Sequence, residues 1–373
     1  MRLLPAALLL FVYTANAQWQ LQNSHTTASL RGIHSIGNGV AWASGTDGTV
    51  LRTVDQGKTW QPCTIPPEAE KLDFRGIQAF NANTAIVMSS GKGDLSRLYK
   101  TTDACQTWKL IFTNPDAEGF WDALSFEDFN ERMPNHVRAG VLVGDPVRGR
   151  FVIFESLDEG KTWRPFDGKH DRAKQDESLF AASNTAAIAV GDAGNLAFVT
   201  GGRRGSFFYR ENPSGLVLDQ WMTGASLSKY TLPFLNSTSS AGAFSISKRR
   251  IDDVTFEFMV VGGDYSKPND PGFAAFLPER TFSFFSEHQR IEPAQTSPHG
   301  YRSSVAYDLS HKAWITVGPN GTDISKDDGR NWQALHPGAT GIPDEDQNWN
   351  AVSLPFVVGP KGRIGLLRPE VLK

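Results

Sequence analysis

The chain has 373 residues, 40% of them hydrophobic and 21% charged, with 35 Gly, 21 Pro and a formal net charge of −3. This composition is globular and suits many short strands joined by turns. The slight acidic excess argues against nucleic acid as a partner, because phosphate binding needs a basic surplus on some face.

The first residues, Met1-Arg-Leu-Leu-Pro-Ala-Ala-Leu-Leu-Leu-Phe-Val-Tyr13, give one positive charge and a short apolar run. Ala15-Asn16-Ala17 then offers small residues for cleavage before Gln18. Residues 1–17 are therefore predicted to be a signal peptide, and 18–373 an exported chain, periplasmic or secreted. The apolar run is too short to span a bilayer and no later segment reaches about 18 apolar residues, so no membrane span is expected in the mature chain. Losing Arg2 with the leader takes the net charge from −3 to −4.

A small polar turn ending in tryptophan then recurs four times. The copies are Thr53-Val-Asp55-Gln-Gly57-Lys-Thr59-Trp60, Thr101-Thr-Asp103-Ala-Cys105-Gln-Thr107-Trp108, Ser156-Leu-Asp158-Glu-Gly160-Lys-Thr162-Trp163 and Ser325-Lys-Asp327-Asp-Gly329-Arg-Asn331-Trp332. The Asp carboxylate is suited to accept its own turn's amide hydrogens, Gly supplies positive φ, and Trp buries a flat surface against the neighbouring repeat. Each turn ends a longer unit. In the first, Leu30-Arg31-Gly32-Ile33, Val40-Ala-Trp42 and Gly48-Thr-Val-Leu-Arg-Thr53 precede it. In the second, Phe74-Arg75-Gly76-Ile77, Thr84-Ala-Ile-Val-Met-Ser89 and Arg97-Leu-Tyr-Lys-Thr101 keep the same order. Further first strands are predicted from Trp121, Phe180, Ala241, Arg302 and Trp349. A second-strand track through Gly144, Gly191, Gly262, Gly318 and Gly359 also counts seven.

Seven repeats of a few short strands predict an all-β, seven-bladed β-propeller over 18–373. The last repeat lacks an outer strand, and Gln18-Trp19-Gln20-Leu21 looks like the outer strand that follows each turn. An N-terminal strand from residues 18–23 is expected to close the last blade and remove an open edge. Cys63 and Cys105 are the only cysteines. A disulfide between them and a pair of free structural thiols both remain open, and neither suggests a metal site.

The turns resemble the Asp-box of sialidase and BNR-repeat propellers. The combined order of Arg31-Gly-Ile, Val40-Ala-Trp42, Gly48-Thr-Val-Leu-Arg-Thr53 and Asp55-Gln-Gly-Lys-Thr-Trp60 is similar to the photosystem II assembly and stability factor family. The similarity is strong in the first two repeats and in residues 301–332, and weak across 180–290. It implies a non-enzymatic, exported scaffold that binds a partner protein.

Propeller geometry puts Asp55, Asp103, Asp158 and Asp327, with Trp60, Trp108, Trp163 and Trp332, on the face opposite the starts of the inner strands. Those residues are read as structural. Around the other mouth the first-strand positions read Arg31, Arg75, Trp121, Phe180, Ala241, Arg302 and Trp349, with His34, Asp122, His299, Tyr301 and Asn350 nearby. Arg forks suit carboxylates and indoles suit binding hot spots. Arg31, Arg75, Trp121, Asp122, Arg302, Trp349, Tyr301 and His34 are therefore the candidate binding residues, and channel filling is the competing structural role. Connections at 164–178, 211–238 and 276–300, and an enlarged turn at 264–273, are expected on that same face. Lys248-Arg-Arg250 reads as a solvated basic turn.

Three function classes follow. The first is a monomeric scaffold that binds a protein partner or an acidic or glycan ligand, with no catalytic residues, cofactor or metal. The second is a sialidase-like glycosidase with Arg31, Arg75 and Arg302 around a carboxylate and Tyr301 as nucleophile. Against it, Phe74-Arg75-Gly76-Ile77 lacks the Pro of that family's signature, and no Glu is placed to activate the tyrosine. The third, an oxidoreductase, has neither a nucleotide motif nor a haem motif to support it.

Overall fold

A computed structural model describes residues 18–129, 137–166, 168–170, 172–190, 195–202, 205–210, 226–233, 238–252, 255–280, 291–335 and 346–372. The proposed leader, 1–17, lies outside the described residues. The chain forms seven sheets arranged as the blades of a β-propeller.

Blade 1 comprises Leu30–Gly37, Val40–Gly45, Val50–Thr53 and Gln61–Pro62, and blade 2 Phe74–Ala79, Ala85–Ser89, Arg97–Thr101 and Lys109–Thr113. Blade 3 comprises Trp121–Phe129, Val137–Val147, Arg150–Ser156 and Arg164–Pro165. Blade 4 holds Ala187–Val190, Asn195–Val199, Ser206–Arg210 and Ser226–Thr231, with Lys169–His170 pairing parallel on its outer edge. Blade 5 holds Ala241–Arg250, Phe256–Asp264, Phe273–Arg280 and Glu292–Pro293, and Gly201–Gly202 and Glu177–Ser178 extend its inner edge. Blade 6 comprises Ser304–Asp308, Ala313–Gly318, Gly321–Ser325 and Gln333–Ala334. Blade 7 comprises Ala351–Ser353, Phe356–Val358 and Ile364–Leu367, and its outer strand is Trp19–Gln22, paired antiparallel from Trp19↔Leu367 to Gln22↔Ile364.

Apart from Gly242 of blade 5, which pairs with Gly201, an inner strand pairs on one side only, so its other edge carries amides that need acceptors. The next blade's neighbour meets that need at all seven interfaces. The amide of Ala79 donates to His34 Nδ1 (3.0 Å), Phe126 to Gln78 Oε1 (3.4 Å), and Ala189 to Ser125 Oγ (3.1 Å). Ile246 donates to the Thr185 carbonyl (2.7 Å), Val305 to Ser245 Oγ (3.0 Å), Val352 to Ser304 Oγ (3.2 Å), and Ser35 to Ser353 Oγ (2.9 Å).

The four Asp turns tie the outer ring. In each, the first Ser or Thr hydroxyl donates to the Asp carboxylate at 2.8–2.9 Å and accepts the amide four residues after itself. The carboxylate also accepts the amide and side chain of Thr59, Thr107, Thr162 or Asn331. These bonds, led by that of the threonine hydroxyl, hold the Asp55 and Asp103 carboxyls down to about 2. Each tryptophan then packs on the preceding blade. Trp60 meets Phe356 edge-on at 5.4 Å, Trp108 donates to the Thr64 carbonyl, Trp163 stacks on Phe112, and Trp332 clusters with Met259.

Where three of these turns have Gly at φ 76–79°, the second has Cys105 at φ 62°. Cys105 is disulfide-bonded to Cys63 beside the outer strand of blade 1, closing a separation of 42 residues. That cross-link contributes about 4 kcal/mol in the chain-entropy account.

Two sequence expectations need correction. The inner strand of blade 4 is Ala187–Val190, expected as a second strand, whereas Phe180-Ala181-Ala182 is not in a strand. Asn184 breaks the strand: it sits at φ 65° and its side chain bonds both main-chain groups of Leu124. The lengths at 211–238 and 276–300 also belong elsewhere. Ser226–Thr231 and Glu292–Pro293 are fourth strands, so these stretches carry third-to-fourth connections, the position of the Asp turns. Residues 211–225 and 281–290 themselves lie outside the described residues.

Trp19 is fully buried, 5.9 Å from the Trp349 ring, and its Nε1 donates to Thr322 Oγ1 at 2.9 Å. Trp19→Ala is expected to cost about 3–5 kcal/mol in denaturant unfolding. Leu21→Ala, at an exposed position of the same strand, should stay within about 0.5 kcal/mol.

Candidate functional site

The mouth at the start of the inner strands is shaped by one repeated irregularity. Leu30 pairs with Gly45 and Gly32 with Ser44, leaving Arg31 bulged; Arg75 and Asp122 are bulged in the same way in blades 2 and 3. Phe244 occupies the equivalent bulge of blade 5. A bulge moves the side-chain alternation by one residue. The inner-strand position that the sequence aligns as one therefore splits into two. Leu30, Phe74, Trp121 and Ala243 are fully buried between blades, as are Arg302 and Trp349 at the entries to blades 6 and 7. Arg31 and Arg75 are half-buried, with side chains about 30% exposed.

The channel does not run through. Residues 179–186 cross it and bond to four other blades. Arg75 Nη1 donates to the Ala181 carbonyl (3.2 Å), Asn184 holds Leu124, Thr185 meets Ser245 (2.7 Å), and Ser183 Oγ donates to the Ser303 carbonyl (2.7 Å). Phe180 stacks on Phe244 at 3.9 Å, and the exposed ring of Tyr265, from the enlarged turn, packs edge-on to both. Gly201 and Gly242 allow this crossing, since a Cβ on Gly201 would lie 2.1 Å from the Phe180 ring and 2.9 Å from Gly242 Cα.

Three charged groupings surround this crossing. In the first, Asp73 lies between two guanidiniums. Arg75 Nε donates to Asp73 Oδ2 at 2.8 Å, while Arg31 Nε stands 3.6 Å from Asp73 Oδ1 and neither of those atoms has a hydrogen-bond partner. Burial lowers the Arg31 pKa, and the Asp73 charge opposes that shift.

In the second, Asp122 and Asp145 share a buried corner of blade 3. Burial, then the charge of Asp145, raises the Asp122 pKa well above the usual range. Burial pushes Asp145 up to about 6, and its Oδ1 accepts the Leu179 amide at 3.0 Å where the crossing segment begins.

The third is internal to blade 6. Arg302 Nε donates to Asp323 Oδ2 (2.5 Å) and its Nη1 donates to the Tyr301 carbonyl and to Asn320 Oδ1, while His299 bonds the other Asp323 oxygen.

Of the predicted binding residues, the mouth thus brings together Arg31, Arg75 and Asp122, with Tyr301 beneath them, packed edge-on to Phe244 at 4.7 Å and close enough to Arg31 for their charges to interact. Arg302, Trp121 and Trp349 have no exposed surface, and Tyr301 is buried with its phenol pushed far above the ordinary range by desolvation. The three arginines do not converge, and Tyr301 is not presented as a nucleophile. His34 lies farther along the wall, serving the Ala79 amide, and burial holds its imidazole down to about 4. Sequence reasoning missed Asp73, Asp145, Phe244 and Tyr265. Asp73, two residues before Arg75, was the most legible of these.

Among the described residues no group of three or more His, Cys, Asp and Glu is placed to hold a metal, and no helix is long and apolar enough to cross a membrane.

No protein-family model matches the sequence, and no curated protein sequence matches it. Solved structures do. A YCF48 bound to a D1 peptide aligns over 95% of this chain and 98% of its own, at 16% identity and a TM-score of 0.56. YCF48 from Cyanidioschyzon merolae aligns over 95% and 99%, at 18% identity and a TM-score of 0.58. The WD40 β-propeller domain of Doa1 aligns over 94% and 97%, at 10% identity and a TM-score of 0.55. The chain has the seven-bladed propeller fold of the YCF48 structures.

Arg302→Ala strands the buried Asp323 charge and is expected to cost about 3–5 kcal/mol by denaturant unfolding. Arg302→Met combined with Asp323→Leu should recover most of that loss. The Asp145 carboxyl, raised in the folded state, contributes stability at low pH that is lost as pH rises through about 6. Asp145→Asn should therefore raise the melting temperature relative to the parent at pH 8, with the difference shrinking towards pH 5.

Proposed function

We propose that the chain is exported and acts as a non-catalytic scaffold, binding an acidic segment of a partner protein across the mouth that carries Arg31 and Arg75. The observation that supports this is the unspent hydrogen-bonding capacity there. Arg31 Nε has no hydrogen-bond partner, and both guanidiniums keep exposed surface. Arg31 Nε is buried facing Asp73, and a carboxylate arriving from outside meets the exposed remainder of each guanidinium, whose planar fork binds it with directional bonds. Phe180 and Tyr265 add a partly exposed aromatic surface beside the charges, a composition favoured at binding hot spots. Because residues 179–186 cross the channel, the partner lies over the mouth and does not thread through it. The YCF48 structure bound to a D1 peptide is a propeller of this fold with a peptide partner, which favours a polypeptide ligand here.

Arg31→Ala combined with Arg75→Ala should weaken capture of a Glu/Asp-rich partner segment by about 100-fold or more, since hydrogen bonds to charged groups contribute about 1.5–3 kcal/mol each. Capture should also fall as salt rises. The measurement is affinity capture from the exported fraction, followed by titration with the recovered segment. Undiminished capture by the double variant, or turnover of a fluorogenic sialoside, would overturn this reading.

A further inference from the structure

The opposite face, where the Asp turns lie, opens into a cavity of about 730 Å³ that the proposed partner site does not use. Its floor is the far side of the crossing segment, at Ser183, Asn184 and Thr185, and its walls are the inner strands. His34, Gln78, Ser125 and Ser353 lie on those walls. Ile251, Leu309 and Leu354, from first-to-second strand turns, form the rim. Ile251 and Leu309 are 46% and 78% exposed.

The interblade ring fixes the chemistry of the walls. The four wall side chains each accept a main-chain amide from the next blade and each keep a hydrogen of their own to donate. His34 accepts at Nδ1 and is held neutral by burial, so its proton sits on Nε2. Gln78 accepts at Oε1, so its amide nitrogen is a donor. The two nitrogens face each other at 3.4 Å, and neither can accept from the other. An acceptor oxygen bridging them, such as one of a carboxylate, would satisfy both. Two of the cations on the walls are paired, and the charge that acts on His34 is that of Arg138. Lys248 pairs with Glu127 at 2.5 Å and donates to the Ala189 carbonyl, and Arg249 is held by Glu257 and Asp328.

We propose that this cavity binds a carboxylate with an apolar body, its oxygens between His34 and Gln78 and its tail reaching Ile188, Ile251 and Leu309 at the rim. A free alkyl carboxylate and the C-terminus of a partner ending in leucine share this chemistry. The test is calorimetric titration of the mature chain with octanoate, octanol and octylamine, and with an acetylated dipeptide ending in Leu as the acid and as the amide. Saturable binding of octanoate or of the dipeptide acid, at least 10-fold tighter than octanol or the amide, is the expected result. The stronger of the two identifies the source.

Gln78→Glu keeps an acceptor for Phe126 but replaces the donor with a carboxylate, and should lower affinity at least 10-fold. Leu309→Asp, at an exposed rim position that folding does not need, should weaken octanoate several-fold and serves if Gln78→Glu unfolds. Equal binding of octylamine or octanol, no saturable binding of either acid, or a folded Gln78→Glu chain that titrates like the parent would overturn the proposal.

Discussion

The inner strand of a propeller blade is an edge strand turned towards the axis, and everything else in this molecule accommodates the amides on that edge. A sheet edge left unpaired would depend on water for its hydrogen bonds. The protein spends one acceptor per interface instead: an imidazole nitrogen, an amide oxygen, four hydroxyls and one carbonyl. These bonds run from each blade to the next and finish where Ser353 meets Ser35. They form a second closure, at small radius, inside the clasp that Trp19–Gln22 provides at large radius. A ring fixed at both radii leaves neighbouring blades little freedom to slide.

Blade 4 shows what happens when no side chain is available for that duty. Its entry segment approaches the axis and supplies a main-chain acceptor, Thr185, to Ile246. Having come so far in, residues 179–186 also satisfy Leu124, Arg75 and Ser303, and so divide the channel into a mouth on one face and a cavity on the other. The path of this one segment makes the division. It also explains why the repeat is hard to see in this part of the chain, where the segment follows a path that no other blade uses.

The blade count, the closing strand and the Asp turns were legible because each rests on short-range chemistry. A hydroxyl two residues before an Asp, with Gly (in one copy Cys105) two after it at positive φ, closes the turn within a few residues. The register of the mouth was not legible. Arg31-Gly-Ile and Arg302-Ser-Ser look equivalent as strings, yet the bulge places Arg31 at the opening, and Arg302 is a fully buried partner of Asp323. One extra residue opposite the second strand changes the face on which a side chain emerges, and the string carries no mark of it. The interblade acceptors were equally hidden, since His, Gln and Ser do the same task at positions that share no residue type.

Which groups can meet a ligand is therefore decided by which have already been used. Arg302 has the chemistry of an anion binder, but its donors go to Asp323, Asn320 and a carbonyl, and the ion pair is sealed inside a blade. Arg31 has the same chemistry with an N–H left over, because Asp73 is shared with Arg75 and stands too far off to complete the second bond. On the other face His34 and Gln78 are committed at one end only, and the free ends converge. In a ring this rigid, side chains with surplus capacity cannot relax towards internal partners. Recognition is confined to the few positions where the count of donors and acceptors does not close, and an arriving molecule is selected by whether it supplies what is missing.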